Sequence, residues 1–396
     1  MKYRYSARLQ ESDYSQGMLQ GWCGGEGLLP LAGELPATED WLPPQVISQA
    51  AKQVLASESF MAGDMEGQGY RPLREQLCIP LAAAGIDAAP EQLLVMPGPR
   101  AALELCMKVL TDPGETVLVE RPASAEALQV IRMNNLRAAD VACDEEGMLL
   151  DAAEQLLKTR KPRLVYVMPD FGSPSSRIWS LERRRGLVEL CRRYEVPIIE
   201  DGSYRDLLGD SGTSYPALHA LAEDKDQVLY TGTYARTWLP GIGAAWIAAS
   251  PELITVMASV TGEEEQRGHM LHQLLLHQLL MNDVLERHSR ERAERFRSRM
   301  QLAEQLLRTN GSPGLAWHSR DGGLFMWLEL PEGLDGEALQ RAALMKGAAI
   351  APGARFYAES PVRSRARLTV AGVNEQQLAA GIEGLVEAVS EFTARS

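Results

Sequence analysis

A chain of 396 residues, 45% hydrophobic and 23% charged, can bury one large core and a smaller second one, which excludes a peptide-sized module. A formal net charge of −13 provides no general basic field for a phosphate backbone, so nucleic acid is not an expected partner. Five cysteines (Cys23, Cys78, Cys106, Cys143, Cys191) are odd in number and free of CxxC spacing, against both a disulfide framework and a zinc site.

The first residues, Met1-Lys2-Tyr3-Arg4-Tyr5-Ser6, lack the apolar stretch of a signal peptide, and no run has the length of a membrane span. A cytoplasmic protein without a membrane partner is expected. From about residue 90 to 250, short apolar runs alternate with helical patterns, the rhythm of a doubly wound α/β domain. Strands are predicted at 93–96, 117–120, 164–168, 196–200, 228–230 and 244–248, and their near-continuous apolar character predicts a sheet covered on both faces. Helices are predicted at 100–110 and 181–194, the second after Ser180 with Glu182 in its first turn. The charged stretch 282–308 reads as a long helix with a solvated face. Strands follow at 322–330 and 365–370, in a smaller α+β domain. His269, His272, His277 and His288 fall on one predicted helix, but their spacing is not that of a zinc pair, so no metal is expected.

Several segments, in order and over nearly the whole chain, resemble the class I/II aminotransferases of pyridoxal-phosphate (PLP) fold type I. The resemblance is greatest to the 2-aminoadipate and kynurenine aminotransferases and to the catalytic domains of MocR regulators. The segments are Gly33-Glu34-Leu35-Pro36 with Trp41-Leu42-Pro43-Pro44, Tyr70-Arg71-Pro72-Leu73-Arg74, and Met96-Pro97-Gly98-Pro99-Arg100. They continue with Pro169-Asp170-Phe171-Gly172-Ser173-Pro174, Ile198-Ile199-Glu200-Asp201-Gly202-Ser203-Tyr204, Gly232-Thr233-Tyr234-Ala235-Arg236 and Arg367-Leu368-Thr369-Val370. The resemblance implies a mainly parallel seven-stranded sheet flanked by helices. It also implies an N-terminal segment (1–45) joining the small domain, a large α/β domain (46–285), and a small C-terminal α+β domain (286–396).

By the same resemblance, Gly98, Pro99 and Arg100 form a phosphate cup, where helix N-terminal amides suit an anion. Asp201 pairs with the cofactor's pyridine nitrogen, Tyr204 bonds its phenolic oxygen, and Thr233 keeps a hydroxyl facing the phosphate. Gly33 and Arg367 bind the substrate, Arg367 through its carboxylate. The Schiff-base lysine, however, aligns on Arg236, and guanidinium stays protonated and cannot replace an amine nucleophile. The remaining lysines, Lys2, Lys52, Lys108, Lys158, Lys161, Lys225 and Lys346, lie outside the motif.

Further departures follow: Ser124 stands for a ring-stacking tyrosine, Ser173 for an asparagine at the phenolic oxygen, Ala235 for a hydroxyl and Gly243 for a phosphate-binding arginine. These losses make ordinary transamination unexpected. The leading expectation is a cofactor-free pseudoenzyme that binds a small anionic molecule or a partner, with Arg236 pairing with Asp201 across the vacated pocket. The alternative has Arg236 facing inward to bind an anionic ligand. A second functional reading is an enzyme acting on an amino or keto acid with PLP, or its amine form PMP, held non-covalently. The resemblance also implies a homodimer, or a heterodimer with a competent paralogue. A MocR-type regulator would need a winged-helix domain ahead of the aminotransferase-like region, so DNA binding is not expected.

Overall fold

A computed structural model describes residues 6, 8, 28–63, 65–208, 215–281, 284–320 and 322–394. Lys2 and Cys23 lie outside the described residues. The strands in chain order are β1 (Leu93–Met96), β2 (Thr116–Arg121), β3 (Arg137–Asp144), β4 (Gly147–Met148), β5 (Leu164–Val167), β6 (Asp170–Gly172), β7 (Arg177–Ile178), β8 (Ile198–Asp201), β9 (Val228–Thr233) and β10 (Ala245–Ala248), then β11 (Ala316–His318), β12 (Phe325–Glu329), β13 (Ala351–Pro352) and β14 (Arg365–Thr369).

The large sheet runs β1-β10-β9-β8-β5-β2-β3-β4. Its pairs from β9 through β3 are parallel, and β10 is antiparallel to both neighbours. The seven long strands are the expected mainly parallel sheet, and the two-residue β4 adds an antiparallel edge beyond them. Strands β1, β5, β8 and β9 are buried along their whole length, which is why β1 and β5 read as continuous apolar runs and β8 and β9 begin as such. In contrast, β3 (Arg137–Asp144) alternates buried and exposed residues near the edge, and its polar sequence hid it from apolar-run reading.

Helices Pro99–Leu110 and Leu181–Arg193 cover the sheet, the second capped by the Ser180 side chain accepting from the Arg183 amide. The histidine stretch divides between two helices: His272 and His277 lie on Met270–Leu280, which His269 precedes, and His288 lies on Val284–Asn310. No metal-holding cluster occurs among the described residues. Among these residues, no helix is long and apolar enough to cross a membrane.

A second, antiparallel sheet, β11-β12-β14-β13, packs with helices Gly336–Met345 and Glu375–Thr393 around its own apolar core. The segment at 29–37 is laced to it: the amides of Leu29, Thr369 and Ala37 donate to the carbonyls of Gly347, Leu31 and Ala371 at 2.8–2.9 Å. Residues 32–36 are thereby fixed between two anchored points.

A buried ion cluster sets the spacing of the next loops. Asp170, 1% exposed, accepts from Arg184 on one oxygen and Arg205 on the other, each at 2.5 Å. Arg184 also donates to the carbonyls of Pro169 and Trp179, and Arg205 to that of Tyr215. This knot ties the β6–β7 hairpin, which leads to Ser173, to the turn after β8, which carries Tyr204. Burial alone would raise the Asp170 pKa, but Arg184 and Arg205 overcome it and hold the carboxyl below its usual range. Asp170→Ala is expected to destabilise the fold by about 3–5 kcal/mol, since two buried guanidinium groups would lose their counter-ion. Urea unfolding measures this, and an unchanged midpoint would refute the role.

Candidate active site

Every expected ring- or phosphate-binding position lies just beyond the C-terminal end of a large-sheet strand, the usual crevice of an open α/β sheet. Gly98 to Arg100 follow β1, Ser124 follows β2, Ser173 follows β5 through β6, Asp201 ends β8, Tyr204 is three residues later, and Thr233 and Arg236 end or follow β9. Gly33 and Arg367 come from the small-domain side, on the laced segment and on β14.

Asp201 is buried and accepts three hydrogen bonds: from the Ser203 amide at 3.0 Å, the Ser203 hydroxyl at 2.5 Å and the Tyr166 hydroxyl at 2.7 Å. Burial raises its pKa, while Ser203 and Tyr166 oppose the rise. The expected pairing of Arg236 with Asp201 is therefore not formed. Arg236 faces the pocket and divides its guanidinium between Glu34 Oε2, at 3.2 Å from Nη1, and Glu126. The physical reason is that Ser203 and Tyr166 already solvate Asp201, while two nearer carboxylates need a cation.

Glu34 is the centre of this arrangement. One oxygen accepts from Arg367 and, at 3.3 Å, from the Ser173 hydroxyl; the other accepts from Arg236 and, at 3.3 Å, from Tyr204. Burial pushes its pKa up, but Arg367 and then Arg236 outweigh that and lower it to about 2. Arg367 also donates to Ser173 Oγ at 3.0 Å and to the Ala32 and Gly33 carbonyls at 2.7 and 3.3 Å, with its guanidinium over Phe325 and Phe356. Gly33 and Arg367 are thus brought together. Sequence reasoning gave no role to Glu34, Glu126, Tyr166 or Ser203. For Glu34 the signal was a charged residue directly after Gly33 in a motif already singled out.

The phosphate end is only partly equipped. Gly98, at φ 131°, opens the helix Pro99–Leu110, and a Cβ added there would meet nothing within 4 Å, so there is open space beside the start of this helix. Arg100 is exposed and reaches Gln129 at 2.5 Å. The single proton of the Thr233 hydroxyl goes to the Ala244 carbonyl at 2.7 Å, which leaves it only acceptor capacity. Ser124 caps the helix Ala125–Met133 by accepting from Ala127. At Gly243 an added Cβ would come within 3.2 Å of the Pro97 carbonyl oxygen, so the two loops meet too closely for a larger residue without moving apart. Lys52, Lys108, Lys161 and Lys225 are exposed, and Lys158 and Lys346 are held in ion pairs with Glu154 and Glu387.

The profile of aminotransferase class I and II matches residues 31–385. The chain belongs to the class I and II aminotransferases. It is 32% identical over 383 residues to the 2-aminoadipate transaminase of Thermus thermophilus, covering 93% of this chain and 91% of that one. The crystal structure of the α-aminoadipate aminotransferase from Thermus thermophilus, complexed with N-(5'-phosphopyridoxyl)-L-leucine, superposes with a TM-score of 0.85 at 30% identity, covering 98% of this chain and 100% of that one. The Pyrococcus horikoshii kynurenine aminotransferase, in complex with PMP, gives a TM-score of 0.88 at 27% identity, with coverage of 99% and 96%.

These findings overturn the expectation of a cofactor-free protein, because the class I and II aminotransferases use PLP and the first of these structures carries a phosphopyridoxyl group. The residues of this chain fit such a group in part. Asp201 has used about three of its roughly four acceptor positions and can accept one more donor. Tyr204 can turn from Glu34 to a ring oxygen, and the amides beyond Gly98 can take a phosphate. The fit is incomplete at the phosphate end, where Arg100 reaches Gln129 and Thr233 donates to Ala244, and Arg236 offers a guanidinium in place of an amine.

The depressed Glu34 pKa predicts acid behaviour. Folded near 2 and unfolded near the ordinary carboxylate value, Glu34 contributes stability that is present above the unfolded value and is lost as pH falls through about 2. The contribution is on the order of 3 kcal/mol. Unfolding free energies of wild type and Glu34→Gln should therefore converge as pH is lowered from neutrality; a pH-independent gap would refute the ion pairing.

Proposed function

We propose that this chain is an aminotransferase-family enzyme that acts on an amino or keto acid with PLP or PMP held non-covalently. The observation that carries the reading is the survival of Asp201, Tyr204 and Arg367 around one crevice while a guanidinium stands at the linkage position. When bound, the cofactor supplies an electron-withdrawing ring that stabilises negative charge at the α-carbon of an amino acid. The chain's own residues bind and orient. Asp201 keeps the pyridine nitrogen protonated, Tyr204 donates to the ring oxygen, the amides beyond Gly98 receive the phosphate, and Arg367 takes the ligand carboxylate through its fork. Arg236 supplies fixed positive charge and no nucleophile, since a guanidinium does not deprotonate in this range.

An absorbance titration of the purified protein with PLP and PMP tests this, together with borohydride treatment and intact mass. Saturable binding without a reducible adduct is expected, and Asp201→Ala should weaken it by about tenfold or more, the loss of one charge-assisted hydrogen bond. Absence of saturable binding overturns the reading; a reducible adduct overturns its non-covalent part. Arg236→Lys is expected to leave transamination undetected, because a lysine there would still face Glu34 and Glu126 and stay protonated. Full activity in that variant would show that the other departures carry no weight.

A further inference from the structure

Arg367 and Arg236 are already joined by a carboxylate belonging to the chain itself. Glu34 bridges them with one oxygen each, and its side chain is 26% exposed, so it stands at the open side of the crevice. The charges balance locally: two guanidinium groups meet the carboxylates of Glu34 and Glu126, and Asp201 lies close enough to feel the charge of Glu34. A ligand carboxylate can reach Arg367 only by displacing that of Glu34. The backbone around Glu34 cannot follow, because the Leu31 carbonyl and Ala37 amide are bonded to the small domain and the Ala32 and Gly33 carbonyls to Arg367. Only the side chain can swing, and it stays within the site.

A keto acid would bring one more negative charge into a group with no cation to spare for it. An amino acid brings its own ammonium group, which the displaced carboxylate can meet. We propose that Glu34 is a specificity-determining residue: it holds Arg367 in the free protein, yields it to an incoming carboxylate and then receives the ligand's ammonium group. The site thereby selects zwitterionic amino acids over the corresponding keto acids. This rests on the reading of Arg367 as the carboxylate-binding residue.

The test is calorimetric binding of alanine and of pyruvate, which share a side chain, to the full chain and to Glu34→Gln, Glu34→Asp and Arg367→Gln, each checked for an intact melting transition. Wild type is expected to bind alanine at least about tenfold more tightly than pyruvate. Glu34→Gln should strengthen pyruvate and weaken alanine, so that the ratio falls by about tenfold or more, whereas Glu34→Asp, which keeps the charge, retains the wild-type order. An unchanged ratio in Glu34→Gln, or a wild type that prefers pyruvate, overturns the inference and leaves the role of Arg367 standing. Loss of both ligands in Arg367→Gln is expected. Binding that survives that substitution, or no binding to any form, overturns the role of Arg367 and the inference with it.

Discussion

Two guanidinium groups in one crevice must find counter-ions, and the site is organised by how they do so. Arg367 is nearly buried and Arg236 largely so, and an unpaired charge at that depth costs several kcal/mol. Glu34 neutralises part of both, Glu126 adds a second carboxylate to Arg236, and the backbone carbonyls of Ala32 and Gly33 accept from Arg367, while the Nε of each arginine stays without a partner among the described residues. That bridge also couples the two halves of the fold: Arg236 and Glu126 follow large-sheet strands, whereas Glu34 and Arg367 belong to the segment and strand of the small antiparallel sheet. The crevice between the sheets is held by charge at the place where a ligand would enter.

The departures from the family pattern are mutually consistent. Arg236 places positive charge in the crevice, and Glu34 and Glu126 supply the negative charge that meets it. Ser124 caps a helix instead of presenting a ring, Thr233 spends its proton on Ala244, and Gly243 lets two loops approach closely. Ser203 and Tyr166 hold Asp201, whereas Tyr204 packs edge-on against Phe325 and donates to Glu34, the carboxylate that also pairs with Arg236.

The buried Asp170 knot shows how the loops of the site are held. It ties the hairpin whose turn holds Ser173 to the turn bearing Tyr204 through bonds that involve neither of those side chains. Positions facing the ligand can then diverge while the loops that carry them keep their places.

The sequence by itself determined the doubly wound domain and, through its motifs, the family. Buried parallel strands such as Leu164–Val167 can be apolar along their whole length, which made them legible as short apolar runs. The family resemblance set Gly33 beside Arg367 as expected substrate-binding residues, and the Gly33 carbonyl accepts from Arg367. The sequence could not reveal β3, whose edge position tolerates polar residues, nor the division of the histidine stretch between two helices. Above all, only the tertiary structure decided the partner of Arg236. Glu34, Glu126 and Asp201 are all carboxylates, separated from Arg236 by 202, 110 and 35 positions. The one nearest in sequence is excluded because Ser203 and Tyr166 already satisfy it, a matter of three-dimensional hydrogen bonding that no linear pattern carries.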